Sequence, residues 1–230
     1  MLLPQLIKKL NEEQDSPLFI IDVGCHKGHF RDELFSQVKS PMFILGVDPL
    51  DFNVTSKYNL YIQVAIANVD TPIVKEFYEY CESGCSSLMK MNTDLITHKE
   101  SETNKWFVPW EIEELIFVHP VLVDSLAHIL DSGREDIKRV HLLKVDAQGM
   151  DIEVVKSLKH YLPKTNLIQI ESVTTHDPNI VLYEGQSILE KDIEDMQQLG
   201  FNVLGINYPN YVFKTNEADV VFINTSYENL

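Results

Sequence analysis

Four acidic residues each follow a short apolar run, and they are the side chains of this chain best placed to do chemistry. They are Asp22, Asp48, Asp146 and Glu171. Apolar runs of this length, separated by helix-like segments, predict the strands of a parallel sheet. The carboxyl ends of parallel strands meet at one edge, where open α/β sheets hold their ligands. We therefore expect the four carboxylates to line a single crevice, since one or two could be ordinary caps but four indicate a site.

The first of these acids leads into a loop with two glycines. Residues 19–30 predict a strand, a tight loop around Gly24, Cys25 and Gly28, and then a helix. Glycine lets backbone N–H groups approach a ligand closely, and the helix adds its unpaired N-terminal donors. The spacing fits neither a dinucleotide loop nor a phosphate-binding P-loop. Asp22 would repel a pyrophosphate but attract an ammonium group, which favours S-adenosylmethionine (SAM); an ordinary β–α turn is the alternative.

Two further residues predict the nucleoside half of such a site. Asp48 ends the second apolar run and precedes Pro49. A carboxylate at that position can accept hydrogen bonds from both hydroxyls of a ribose, although Asp48 could also be a simple turn residue. In the third apolar run, residues 60–67, the small side chain of Ala65 would leave room for adenine. Plain core packing is the alternative for Ala65.

A hydroxyl acceptor at this edge would also need a group that takes its proton. Asp146 is the first candidate for holding or deprotonating the acceptor, with Glu171 and His176 as alternatives. Each has a simpler explanation: Asp146 could orient Lys144 or bind the methionine end of the cofactor, Glu171 could cap a loop, and His176 could lie in a surface loop. Asp146 with Glu171 could also hold a divalent cation, but we predict no metal site.

Composition narrows the class of partner. The chain has 230 residues, 44% of them hydrophobic, and a formal net charge of −16. This predicts one domain over residues 1–230 and argues against a nucleic-acid partner, because phosphates are bound by Lys and Arg.

Cys25, Cys81 and Cys85 cannot all pair and lack zinc-site spacing, so we expect reduced thiols in a cytoplasmic protein. The N-terminal helix within residues 1–17 does not resemble a signal peptide, and no apolar run reaches membrane-spanning length.

The remaining segments predict the frame around the site. An antiparallel strand at 73–80 and turn residues at 81–88 indicate that residues 73–117 are an insertion over the ligand edge, a hairpin or lid. Trp106 and Trp110 lie in it, either as an aromatic lid or as an ordinary core cluster. We expect helices over 150–161 and 188–199 and, at the end of the chain, two strands that pair antiparallel over 201–204 and 218–223.

With these residues in hand, the chain resembles the FkbM family of SAM-dependent methyltransferases over residues 19–224. The resemblance rests on four motifs, with Glu171 and residues 219–222 in support: residues 21–28, 46–49, 123–126 and 143–151. The last of these, Leu-Lys-Val-Asp-Ala-Gln-Gly-Met-Asp, is similar to the family signature Lys-Ile-Asp-x-Glu-Gly-x-Glu. The chain departs from it at Gln148 and Asp151, where the family has Glu, and at Cys25, where Ala is frequent. Gln148 can still form hydrogen bonds but cannot ionise.

The resemblance implies a class I methyltransferase fold, Rossmann-like, with a seven-stranded, mostly parallel sheet and an antiparallel last strand. It implies SAM as methyl donor, S-adenosylhomocysteine (SAH) as product, and O-methylation of a small molecule. We expect a sugar or glycan hydroxyl as the acceptor. An N-methyltransferase acting on a small amine and an inactive SAM-fold interaction module are the alternatives; a NAD-linked oxidoreductase is disfavoured by the missing Gly-x-Gly-x-x-Gly.

Overall fold

The computed structural model describes residues 2–97, 106–107, 115–133, 137–174, 181–208 and 217–228. The helices are α1 (Pro4–Glu12), α2 (His29–Gln37), α3 (Leu126–Ser132), α4 (Asp151–Lys156) and α5 (Leu189–Gln198). The strands are β1 (Leu18–Val23), β2 (Met42–Asp48), β3 (Leu60–Gln63), β4 (Ala65–Ile66), β5 (Ile73–Tyr80), β6 (Ile96–Thr97), β7 (Trp106–Phe107), β8 (Leu115–Asp124), β9 (Val140–Val145), β10 (Thr165–Val173), β11 (Phe201–Asn207) and β12 (Glu217–Asn224). Short 3₁₀ turns lie at Thr55–Lys57, Ser83–Cys85, Thr93–Leu95 and Lys159–Lys164.

Seven strands form the central sheet, in the order β3-β2-β1-β9-β10-β12-β11. β3, β2, β1, β9 and β10 run parallel, and β12 is antiparallel to both of its neighbours. This confirms the predicted sheet and the antiparallel pairing of the last two strands. The carboxyl ends of β1, β2, β9 and β10 consequently share one edge.

Both faces of the sheet are covered, as a parallel sheet requires. Alternate residues of each strand point to opposite faces. Ile21 and Leu143 belong to a core cluster that includes residues of α3, α4 and α5. Ile20 and Leu142 belong to a second cluster with Leu6 of α1. The near-continuous apolar sequence of β9 follows from this burial on both sides, since every residue of that strand is buried.

The predicted third strand is divided between two sheets. We expected one strand over 60–67, but β3 pairs with β2 while β4 pairs with β8 in a separate sheet ordered β4-β8-β5. The chain changes sheet at Val64, whose N–H still donates to the Asp48 carbonyl at 3.1 Å. β5 is antiparallel to β8, as its alternating pattern predicted, and a bridge from Tyr78 to Ser87 closes a turn at its end. The insertion is thereby built mainly as the β5–β8 ribbon.

The helix expected over 150–161 is shorter than predicted. α4 ends at Lys156, and the chain continues through a turn into the 3₁₀ segment that begins at Lys159. The hydroxyl of Ser157 donates to the Val154 carbonyl at 2.6 Å and accepts the Leu126 N–H at 3.2 Å. Lys159 has a φ of 48°. A serine that bonds back to the helix backbone, followed by a left-handed residue, ends the helix early.

Two segments of the sequence lie partly outside the residues that the structure describes. Trp106 contributes its backbone to β7, which pairs with β6, while Trp110 lies outside the described residues. The sequence at 111–116 has a helix-like pattern, but Leu115 and Ile116 belong to β8 and residues 111–114 lie outside the described residues. None of the helices in the described ranges has the length and apolar character needed to cross a bilayer.

Candidate functional site

The loops that follow β1 and β9 touch at Gly24. An added Cβ at Gly24 would lie 1.8 Å from the carbonyl oxygen of Asp146, and the φ of Gly24 is 66°. The N–H of Gly24 donates to the Val47 carbonyl at 2.9 Å, and the N–H of Asp146 donates to the Val23 carbonyl at 3.1 Å. Only glycine fits so close an approach in this conformation. The predicted glycine loop is thus held against the ends of β2 and β9.

A cavity opens at this edge of the sheet, and five of the predicted site residues line it. They are Gly24, Asp48, Pro49, Ala65 and Asp146. Apolar side chains from β5 and the following turn, Phe77 and Leu88, line the same cavity. Ser83 and Ser86 of that turn also reach it. Residues of β5 and of the turn after it therefore line the cavity at this edge of the sheet.

Asp48 presents a buried carboxylate to the cavity. Its Oδ2 accepts the His26 N–H at 3.0 Å and its Oδ1 accepts the Leu50 N–H at 2.9 Å. Burial raises the pKa of Asp48 to about 6, while the two backbone hydrogen bonds act in the opposite direction. A carboxylate has about four lone-pair sites, so Asp48 keeps acceptor capacity for a ligand. The predicted position suits a pair of ribose hydroxyls.

The expectation of four carboxylates in one crevice is wrong, because only Asp48 and Asp146 line this cavity and Glu171 lines a separate pocket with Asp151 and Asp192. Asp22 lies in neither pocket. Its side chain is fully buried on the same face as Ile20. The hydroxyl of Tyr58 donates to Asp22 Oδ2 at 2.8 Å, and Lys144 Nζ lies 3.4 Å from Oδ1. Burial raises the pKa of Asp22, although Lys144 and Tyr58 act against it. Asp22 therefore stabilises the glycine loop from within the core, through its contacts with Tyr58 and Lys144.

Cys25 and Gly28 likewise lie beside the cavity and not in its wall. Cys25 is buried in the core cluster on the α1 and α2 side, and burial raises the pKa of its thiol. Gly28 caps α2 with a φ of 79°, and the Lys57 side chain lies where its Cβ would be. Both residues shape the loop.

Lys144 joins the two loops electrostatically. Its Nζ donates to the Gly24 carbonyl at 3.0 Å and lies 3.4 Å from Asp22 and 3.5 Å from Asp146. Burial would lower the pKa of Lys144, but Asp146 and Asp22 outweigh that effect and raise it. Lys144 therefore stays charged and offsets part of the negative charge at the strand ends. From the sequence, the only expected role for Lys144 was as a residue that Asp146 could orient.

Asp146 and Glu171 are brought together through Gln148. The side-chain Nε2 of Gln148 donates to Asp146 Oδ1 at 2.7 Å and to Glu171 Oε2 at 3.2 Å. The hydroxyl of Tyr183 donates to Gln148 Oε1 at 2.8 Å. Sequence reasoning had noted Gln148 only as a departure from the family signature. Tyr183 lies 35 residues after Gln148, so no local sequence pattern predicts their contact.

The carboxyl groups around Glu171 are mutually perturbed. Burial, followed by the nearby Glu217 and Asp146, raises the pKa of Glu171 well above its usual value. Burial also raises the pKa of Asp151 to about 8 and that of Glu217 to about 7. Like charges in a desolvated site disfavour each other's ionised forms, which adds to the effect of burial on Glu171. The third predicted catalytic residue, His176, lies outside the described residues.

A possible metal-binding group lies at the opposite edge of the sheet. Among the described residues, Glu13, Asp15 and His141 are the one set of three whose ligand atoms lie within 4.8 Å of one another. The N–H of Phe19 donates to His141 Nδ1 at 2.9 Å, so the neutral ring carries its proton on Nε2. That nitrogen, which faces Asp15, has no lone pair for a metal. The group is better explained as hydrogen bonding before β1.

The comparison with known families decides the identity of the fold. The model of the Methyltransferase FkbM domain matches residues 22–203. The chain belongs to the FkbM methyltransferase family. This confirms the resemblance drawn from the motifs, and the observed sheet is the one expected for an FkbM protein of the class I methyltransferase fold. The predicted SAM cofactor agrees with this membership.

Individual proteins are much more distant from this FkbM chain. No curated protein matches its sequence. Among solved structures, it is similar to a TehB-like SAM-dependent methyltransferase from Corynebacterium glutamicum, with 10% identity over 96% of this chain and 87% of the other and a TM-score of 0.41. It is also similar to 1,6-didemethyltoxoflavin-N1-methyltransferase from Burkholderia thailandensis, crystallised with 1,6-didemethyltoxoflavin and SAH, with 10% identity over 96% and 77% and a TM-score of 0.44.

Proposed function

We propose that this FkbM protein transfers a methyl group from SAM to a hydroxyl group of a sugar or glycan. The observation that carries the proposal is the cavity at the carboxyl ends of the strands, where Gly24 meets the Asp146 backbone and where the Asp48 carboxylate is available. Fold and family support methyl transfer. The choice of oxygen over nitrogen, and of a carbohydrate acceptor, is the proposal.

The residues of this cavity fit SAM. Asp48 can accept the ribose hydroxyls, because each of its oxygens has only one backbone donor in the described structure. Ala65 lies in the same wall as Phe77 and Leu88, which leaves an apolar space suited to adenine. Asp146 lines the cavity with a side chain that is 39% exposed, so its charge can meet the methionine ammonium. SAM supplies a methyl group on a positively charged sulfur.

The three predicted catalytic residues are not equivalent as bases. The raised pKa of Glu171 favours its protonated form, which suits hydrogen-bond donation better than proton removal. The Asp146 side chain is 39% exposed and lines the cavity, so it can reach an acceptor there. Asp146 therefore stays our first candidate for holding or deprotonating the acceptor hydroxyl. Most of the rate enhancement would come from holding the hydroxyl in line with the methyl group.

The test has two steps, cofactor binding and then acceptor choice. Calorimetric titration of the purified protein with SAH is expected to show binding. Incubation with SAM and a panel of methyl glycosides should then give methylated products detectable by mass spectrometry, while matched small amines should not. Methylation of the amines alone would establish an N-methyltransferase. Binding of SAH without transfer to either panel would favour an interaction module, and no binding by the folded protein would overturn the proposal.

A further inference from the structure

Gln148 is the meeting point of several segments that are far apart in sequence. Its backbone carbonyl accepts the Ser87 hydroxyl at 2.7 Å, and its side chain contacts Asp146, Glu171 and Tyr183. Its φ of 50° is in the left-handed region, which non-glycine residues seldom adopt. The Tyr183 hydroxyl also lies 2.7 Å from the Cys85 carbonyl. The loop after β9, the end of β10 and the turn after β5 therefore join here.

The contacts of Gln148 require an amide. Its NH₂ group has two hydrogens and faces two carboxyl groups, while its oxygen faces the Tyr183 hydroxyl. Each hydrogen of the NH₂ group therefore meets a carboxyl oxygen, which favours this orientation of the amide. A glutamate at this position would have no NH₂ group to offer and would add a third carboxyl group to the pair. The glutamine of this chain thus performs a task that the family's usual residue cannot perform in the same way.

The Asp146 carboxylate is held from both sides. Gln148 Nε2 binds its Oδ1 at 2.7 Å, and Lys144 Nζ lies 3.5 Å from its Oδ2. The side chain is 39% exposed, so without Gln148 it would be free to turn toward solvent or further toward Lys144. A hydrogen bond to an ionised group is stronger than one between neutral groups. The bond from Gln148 is therefore the shorter and better directed of the two constraints.

We propose that Gln148 is a positioning residue that aims the Asp146 carboxylate at the positively charged methionine end of the cofactor. This inference rests on the proposed function, because it assumes a SAM-like ligand in the cavity. A fixed carboxylate also helps to hold the acceptor hydroxyl. The contact with the cofactor is the part of the role that can be measured without knowing the acceptor. The Tyr183 hydroxyl contacts Gln148 Oε1 and so helps to fix the orientation of the Gln148 side chain.

The experiment compares two probes that differ only at the methionine end. SAH carries the ammonium group, whereas 5′-methylthioadenosine keeps the nucleoside and sulfur but lacks that end. Gln148→Leu keeps the approximate size of the side chain and removes its hydrogen bonds. By calorimetry we expect it to weaken SAH about tenfold and to leave 5′-methylthioadenosine unchanged. Tyr183→Phe, which removes one hydroxyl, should lower the SAH preference in the same direction by a smaller factor.

A matched control separates positioning from general damage. Gln186 lies nearby and accepts the Tyr183 N–H at 3.1 Å, and it has no described hydrogen bond to Asp146. Gln186→Leu should keep the full preference for SAH. Equal weakening of both probes by Gln148→Leu and Tyr183→Phe would show a purely structural role and overturn the inference, as would unchanged binding of both. Failure of the wild type to bind either probe would instead overturn the proposed function.

Discussion

At the scale of single residues, the same chemical group has different tasks according to its surroundings. Asp22 and Asp48 both lie at the ends of buried strands. The oxygens of Asp22 face Tyr58 and Lys144 beneath the loop, while Asp48 contacts backbone N–H groups and the cavity. Burial raises the pKa of both carboxyl groups. Only Asp48 is placed to exchange its hydration for contacts with a ligand.

Removal of the Asp48 charge should weaken SAH binding. Asp48→Asn loses one acceptor oxygen and places an NH₂ group against a backbone donor, so we expect a loss of about tenfold or more at pH 8. In the wild type the affinity should also fall as the pH drops below about 6, because protonation of Asp48 removes the better acceptor. Calorimetric titration from pH 5 to pH 8 measures both effects.

The exposed Asp51 provides the control for that experiment. It accepts the Asn53 N–H at 2.8 Å, and it is not among the residues that line the cavity with Asp48. Asp51→Asn should retain the wild-type affinity and its pH dependence. If Asp48→Asn retained the same fall in affinity below pH 6, another group would be responsible.

At the scale of elements, the site depends on how closely two loops pack. The glycine loop after β1 and the loop after β9 are in backbone contact, and Lys144 and Gln148 fasten the surrounding carboxylates to them. The turn after β5 is attached to the first loop by a contact of 3.0 Å between His26 Nε2 and Ser83 Oγ. A substitution in any one of these loops should therefore change the shape of the cavity.

Gly24→Ala adds only one methyl group, but we expect it to lower the free energy of unfolding strongly. The added Cβ would meet the Asp146 carbonyl at 1.8 Å and would also sit at a φ of 66°. Gly200→Ala is a matched control, because Gly200 has a φ of 90° but nothing within 4 Å of its Cβ position. We expect the control to cost about 1 kcal/mol of unfolding free energy, and Gly24→Ala to cost about 3 kcal/mol. Gly24→Ala should also abolish SAH binding.

Urea unfolding of the two alanine variants distinguishes the causes. Equal losses in both would mean that backbone conformation alone matters at Gly24. A larger loss at Gly24 measures the close approach of the two loops.

At the scale of the whole molecule, the protein concentrates acid groups at the edge where it would bind ligand. The formal net charge is −16. Several buried carboxyl groups lie around β10 and β12, and burial raises the pKa of Asp151 to about 8, Glu217 to about 7 and Asp192 to about 6. Desolvation costs fall mainly on the ionised forms. The folded state thus binds protons that the unfolded chain has already released.

Stability should therefore fall as the pH rises through the neutral range. An acid whose pKa is raised on folding stabilises the fold below its unfolded pKa, and that contribution is lost as the pH passes its folded value. For these groups the decline in stability runs from about pH 4 to about pH 8. Urea unfolding at pH 5.5 and pH 8 measures it.

Asp151→Asn tests the origin of this dependence. Asn keeps an oxygen for the Glu171 N–H, which Asp151 Oδ1 accepts at 3.3 Å, but it cannot ionise. The decline in stability between pH 6 and pH 8 should become shallower in this variant. Rising stability of the wild type over the same range would contradict the argument.

Local patterns in the sequence predicted the parallel strands, the glycine loop and the family. Apolar runs that end in acids specify parallel strands and their shared edge through local periodicity, and the motifs around Gly24 and Asp146 are contiguous in the chain. Such patterns are readable because each depends on neighbours in sequence. The early end of α4 at Ser157 was missed, since its hydroxyl also binds the distant Leu126 N–H.

Only the tertiary structure decided which carboxylates face the cavity and what holds them. Tyr58 and Lys144 withdraw Asp22 from the ligand edge, and Tyr183 orients Gln148 against Asp146 and Glu171. Except for Asp146, which lies two residues before Gln148, these partners are separated by more than 20 residues along the chain. Their hydrogen bonds exist because folding brings buried polar groups together, where each needs a partner to offset the loss of water. No pattern within one segment records such a requirement.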